Sequence, residues 1–204
     1  MTADRTYPTN VGSQALELPL VALSDELTIA LLICVDLGVA FAETAGRELA
    51  DLLRPAEPDV IVSVATMGIP LAIEASRALG LDDYVILHKT PKIHLGETWA
   101  EPVNSITTDK PQKLRLDPAR VGAVRGRRVA VVDDVISTGA SLKAALNLVR
   151  RIGAEPVIIG ALMTEGSTWK EALGADADNV RALGAMPLFH PAADGSGELV
   201  EDWG

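Results

Sequence analysis

The chain has 204 residues, 48% hydrophobic and 23% charged, with a formal net charge of −10; it is long enough for one sizeable core and too apolar for a disordered protein. Its single cysteine, Cys34, excludes an internally stapled extracellular scaffold. The acidic balance argues against a nucleic-acid partner; the polar start and apolar stretches too short for a membrane helix predict a cytoplasmic protein with no membrane partner.

In chain order, ALELPLVALSDELTIALLICV reads as two short apolar strands around Ser24-Asp25-Glu26, and a helix follows from about Asp36 to Leu53, ahead of Pro55 and Pro58. Val60 to Val64 is a β-branched run of buried-strand type. The turn ATMG leads into IPLAIEASRALG, a helix with Pro70 in its first turn and Gly80 as its cap. YVILH is another strand. Thr90 to Pro118, with four prolines and little periodicity, is too long for an idle connection and predicts a lid or binding element. Val129 to Val132 is the next strand, Leu142 to Ile152 has helical spacing, and PVIIGALM closes the alternation. The tail from Asp178 reads as short β structure, expected to pair with the N-terminal strands. Strands alternating with helices predict an α/β fold with a central parallel sheet, its ligand beyond the carboxyl ends of the strands.

The chemistry concentrates in VAVVDDVISTGAS, Val129 to Ser141. Asp133 and Asp134 sit where a strand emerges, and Ser137-Thr138-Gly139-Ala140-Ser141 wraps into a helix start. Such a turn offers main-chain N–H groups, hydroxyls and the positive end of a helix dipole, a setting for a phosphate monoester. The carboxylates would repel that phosphate and should face hydroxyls of the same ligand, so a sugar phosphate is implied. A solvated acidic corner beside an ordinary capped turn is the plain alternative. Between His88 and Arg128 nine basic residues face four acids, a local positive segment suggesting an anionic ligand or a solvated basic face. Three histidines and one cysteine give no metal-ligand spacing.

Taken together, the block resembles the signature with which type I phosphoribosyltransferases bind 5-phosphoribosyl-1-diphosphate (PRPP). The likeness extends over roughly residues 30–190. SVATMGIPLA is similar to the family's pyrophosphate loop, with the amides of Ala65, Thr66, Met67 and Gly68 on the diphosphate. HKTPKIHLGE resembles the RKxGKxxGE pattern of adenine enzymes, with one extra residue, and matches its lysines with Lys89 and Lys92; it also resembles the KxxxKxH loop of orotate enzymes. Two departures stand out. Ser137 replaces the aspartate that hypoxanthine-guanine enzymes carry near the purine, and SITTDKPQKLRLD lacks the adenine enzymes' EYG tripeptide. VRALGAMPLF is similar to the end of xanthine enzymes.

The resemblance implies the type I phosphoribosyltransferase fold in one domain over residues 1–204, with a core of about 36–175 and a small hood from about 10–35 and 178–204. It implies transfer of ribose 5-phosphate from PRPP to a nucleobase, most readily a purine of adenine or xanthine type, by a homodimer using Mg²⁺. Asp133 and Asp134 would hold the ribose hydroxyls and the hydrated Mg²⁺, Val135 to Ser141 would bind PRPP, and Lys89 and Lys92 would assist the leaving diphosphate. Val135, Ile136 and a stacking Phe189 would meet the base. A PRPP-binding regulator without catalysis, or an enzyme for a pyrimidine base, is the alternative.

Overall fold

Residues 5–90, 99–103 and 112–204 are described by the computed structural model. The N-terminal segment forms a hairpin of β1 (Thr6–Val11) and β2 (Gln14–Ala22), then β3 (Thr28–Ala30) antiparallel to β2. A 3-10 turn over Cys34–Asp36 leads into α1 (Gly38–Leu53), so the helix begins two residues later than its periodicity predicts. β4 (Val60–Val64), α2 (Gly68–Leu79) and β5 (Tyr84–Leu87) follow. Gly80 ends α2 in the left-handed conformation, φ 76°, which glycine adopts without penalty.

The expected lid segment contains an antiparallel ribbon, β6 (Trp99–Val103) on β7 (Gln112–Leu116), where the sequence showed only an irregular loop. The ribbon buries Val103, Leu114 and Leu116 in the core. After α3 (Val121–Val124) come β8 (Arg128–Ile136), α4 (Ala140–Ile152), β9 (Glu155–Glu165) and α5 (Thr168–Leu173). The chain closes with β10 (Val180–Met186), β11 (Leu188–Pro191) and β12 (Leu199–Asp202).

The central sheet has the order β10-β9-β8-β4-β5 and every pairing in it is parallel. It is apolar on both faces because both are covered. Val60, Val62 and Val64 pack with Val129 and Val131 toward α4, whereas Ile61, Ala130 and Val132 join Phe41, Leu49 and Leu71 of α1 and α2. That alternation is the pleat of the strands read out as two separate clusters.

A second sheet, β1-β2-β3-β11-β12, joins the two ends of the chain into the expected hood. The tail divides, however. Val180–Met186 belongs to the core sheet as its edge strand, so the hood's C-terminal part begins at Leu188 rather than at 178. β10 has residues for both faces: Val180 and Ala182 pack on one cluster, Leu183 and Met186 on the other. The hood rests on this edge, where the Gly12 N–H donates to the Leu183 carbonyl at 3.0 Å. Gly184 permits the approach, since a Cβ there would lie 2.4 Å from the Asn10 carbonyl oxygen.

Candidate active site

β4 and β8 are neighbours at the middle of the sheet, and the chain leaves them in opposite directions, β5 lying beyond β4 and β9 beyond β8. The connections after such a pair of strands part to opposite faces and leave a crevice at their carboxyl ends. A cleft of about 330 Å³ opens there. Its wall on the β4 side is Val64 to Met67, and on the β8 side Asp133 to Leu142, with Lys89 completing the lining.

The strand at Val129–Val132 runs on to Ile136, so the carboxylates lie within β8 rather than just past it. Asp133 pairs with Ala161 of β9, and its Oδ1 accepts a hydrogen bond from the Asp134 N–H at 3.1 Å. Burial, and then the charge of Asp134, push the Asp133 carboxyl well above the usual carboxylate range, with Lys89 pulling the other way. Two like charges held this closely at the floor of a cleft create a demand for a cationic or hydroxyl-bearing ligand. Ile136 is 2% exposed, its side chain buried in the core, so what it offers the cleft is main chain.

Gly139 takes φ 76° as it turns from β8 into α4, and a Cβ there would meet Ala172 and Trp169 at 3.2 Å. Conformation and space both require glycine. The start of α4, whose first main-chain N–H groups have no partner within the helix, thus borders the cleft beside the hydroxyls of Thr138 and Ser141, with the Ala140 N–H donating to Thr138 Oγ1 at 3.4 Å. Opposite, the turn over Ala65–Met67 contains a cis Ala65–Thr66 peptide. Gly68 begins α2 and is itself buried, behind the cleft lining. A Cβ at Gly68 would stand 2.2 Å from Ser63 Oγ and 3.4 Å from Asp133 Oδ1, so its smallness lets the turn lie close to the carboxylate.

The structure therefore gathers Ala65, Thr66, Met67, Lys89 and the whole run Asp133 to Ser141 around one cleft. Lys92 lies outside the described residues. Phe189 is not at the cleft: it is 4% exposed in the core between hood and sheet, edge-on to Tyr7 with ring centroids 5.1 Å apart, so the expected stacking role is corrected to packing. The basic segment is also reassigned. Arg115 donates to the Lys89 carbonyl at 2.9 Å, Arg120 to that of Tyr84 at 3.0 Å, Arg125 to that of Ile152 at 3.1 Å, and Arg128 to that of Ala56 at 2.7 Å. These arginines fasten elements together, and of the described basic residues in the segment only Lys89 lines the cleft.

Two residues near the cleft escaped the sequence reading. Cys34 donates its S–H to the Met67 carbonyl at 3.0 Å, bracing the β4 turn from beneath. Glu165 ends β9 as a carboxylate only 5% exposed, and burial pushes its carboxyl above the usual range. A single acid terminating a buried apolar strand was the available signal.

A family model for the phosphoribosyl transferase domain matches residues 39–181. The xanthine phosphoribosyltransferase of Laribacter hongkongensis is 31% identical over 133 residues, 64% of this chain and 64% of that protein. The hypoxanthine/guanine phosphoribosyltransferase of Methanococcus voltae is 36% identical over 121 residues, 58% and 60% of the two chains. The match thus spans less than two-thirds of the length of either relative. In fold, the crystal structure of adenine phosphoribosyltransferase from Thermoanaerobacter pseudethanolicus is similar with a TM-score of 0.70 at 18% identity, over 83% of this chain and 95% of that one.

Proposed function

Because the chain belongs to the phosphoribosyl transferase domain family, we propose that it transfers ribose 5-phosphate from PRPP to a purine base and releases pyrophosphate. The observation that carries this reading is the opposition, across one cleft, of a carboxylate pair and a helix-start turn on β8 to the Ala65–Met67 turn on β4. A ligand bearing a monoester phosphate, two ring hydroxyls and a diphosphate matches that layout from end to end. The purine assignment is supported by the names of the two curated relatives, which act on xanthine and on hypoxanthine or guanine.

In this reading the start of α4, with Thr138 and Ser141, holds the 5-phosphate; Asp133 and Asp134 accept hydrogen bonds from the ribose hydroxyls. The Ala65 N–H is held by the Leu87 carbonyl at 2.8 Å, so of the expected amides those of Thr66 and Met67, with Lys89, bind the diphosphate, and Lys92 is assigned with them. As the C1–O bond to the diphosphate breaks, positive charge develops on the ribose carbon and negative charge on the leaving group. Lys89 and the amides stabilise the second, and the ring nitrogen of the base bonds to C1 as its N–H proton passes to the departing pyrophosphate or to water. No protein nucleophile is needed, so catalysis rests on positioning and preorganised charge.

Mg²⁺ fits the residues present. Asp133 and Asp134 are oxygen donors whose mutual repulsion a dication relieves, and among the described residues no cluster of three or more acidic, histidine or cysteine side chains forms a metal cage, so ligand oxygens would complete the coordination. When bound, the ion neutralises charge on the diphosphate. No described helix is long and apolar enough to cross a membrane; a cytoplasmic homodimer is the assembly and place that accompany this reading.

Asp134→Asn tests the assignment. The variant should melt as the parent does and lose PRPP affinity by at least about tenfold in calorimetry, the effect of removing a charged hydrogen-bond acceptor. Unchanged affinity would remove Asp134 from the site.

A further inference from the structure

Strand β4 reads VIVSV, buried at every position, and Ser63 is its one polar side chain. Ser63 is 0% exposed and its Oγ has no hydrogen-bond partner; among the described residues Ser76 Oγ is the one other buried side-chain atom so placed. A hydroxyl taken out of water and left unpaired is costly, and alanine would carry no such cost. The two serines differ in what surrounds them. Ser76 sits within α2, where rotation of the side chain brings the carbonyl four residues back within a serine's reach. Ser63 sits in a parallel ladder, paired with Ile86 of β5 on one side and Val132 of β8 on the other, and the main-chain groups there are engaged in the sheet.

What Ser63 has nearby is Asp133. The position that a Cβ would take on Gly68 lies 2.2 Å from Ser63 Oγ and 3.4 Å from Asp133 Oδ1, so hydroxyl and carboxylate converge on one point at the start of α2. Asp133 lines the cleft, as does Val64, while Ser63 lies behind that lining. A carboxylate has about four acceptor positions on its two oxygens, and the Asp134 N–H at 3.1 Å occupies one of those on Oδ1. Resting on the functional reading above, we infer that Ser63 is a positioning residue for PRPP: when the ribose hydroxyls bond to Asp133, the Ser63 hydroxyl donates to the same carboxylate from its buried side and fixes the direction of its remaining lone pairs. With the cleft empty the hydroxyl is unpaired, and with the sugar in place it is paired, so a cost carried by the free protein becomes affinity for the ligand. Gly68 belongs to the arrangement, because a side chain there would fill the space between the two oxygens.

The test compares Ser63→Ala with Ser76→Ala. Each is read by melting temperature without ligand, by calorimetry with PRPP and Mg²⁺, and by kcat and the KM values for PRPP and for the purine that the parent uses best. Both variants lose an unpaired hydroxyl and should melt at or above the temperature of the parent. Ser63→Ala should bind PRPP about tenfold more weakly and raise its KM to match, with the KM for the purine within about twofold of the parent. Ser76→Ala should match the parent in PRPP affinity and in both KM values. A merely structural serine would not separate the two substrates in this way. Unchanged PRPP affinity in Ser63→Ala would overturn the inference, and so would a lower melting temperature, which would mean that the hydroxyl is already paired in the free protein. A loss shared equally by PRPP and purine, or shown by Ser76→Ala as well, would trace the effect to packing and overturn it too. A parent that binds no PRPP would overturn the functional reading and the inference with it, an outcome distinct from each of these.

Discussion

Cys34 has its thiol pushed up to about 12, chiefly by burial and then by the charge of Asp134. A thiol so placed stays protonated, donates to the Met67 carbonyl and is a poor nucleophile. We expect iodoacetamide at pH 7.5 to leave the folded protein unmodified and to alkylate it stoichiometrically in guanidinium, as read by mass spectrometry; rapid native labelling would refute the buried hydrogen bond. Asp176 is the opposite case. Its hydrogen bonds to Arg150, and secondarily the charge of Lys143, hold its carboxyl below the ordinary range. A depressed folded value means that the stabilisation is present above the unfolded carboxyl's range and fades as pH falls through the folded one. Asp176→Asn should therefore cost about 1 kcal/mol at pH 7, modest because the Arg150 guanidinium is partly exposed, and the difference from the parent should shrink below about pH 4. Chemical denaturation of both proteins across pH measures it.

Helices α1 and α2 pack side by side across one face of the sheet, and their approach depends on Gly46, where a Cβ would lie 2.4 Å from Glu74 Cβ and 2.8 Å from its main-chain carbon. Gly46→Ala gains helix propensity yet must force the helices apart. We expect a net destabilisation of about 2 kcal/mol in urea titration, where an exposed helical site would gain about 1 kcal/mol. Strands β4, β5, β8 and β9 and helices α2 and α4 were legible in the sequence because apolar runs and caps are local: Val60 to Val64, Gly80 and the spacing of Leu142 to Ile152 each carry their own signal, whereas the polar β1 went unread. The β6–β7 ribbon was not legible. Its partners to the core, Leu114 and Leu116, alternate over too few residues, and Arg151 of α4 holds it down through the Ala100 carbonyl at 2.9 Å and an ion pair with Glu101, contacts made across the fold.

At the scale of the molecule, the cleft follows from strand order: the two site segments lie some seventy residues apart in sequence and meet because β4 and β8 are neighbours. The segments around Ala65 and Asp133 were legible as motifs, since each is a short contiguous stretch with its own turn chemistry. What the sequence could not reveal was which aromatic and charged residues face inward from afar. Phe189 is drawn into the seam between hood and sheet by Tyr7, and Arg115, Arg120 and Arg128 are spent on carbonyls rather than on a ligand. The most direct test of the account is pyrophosphate release by the purified protein with PRPP, Mg²⁺ and, in turn, xanthine, hypoxanthine, guanine, adenine, orotate and uracil. The account predicts release that depends on a purine and on Mg²⁺ and is abolished in Asp134→Asn. No release with any purine, in a protein that still binds PRPP, would contradict it.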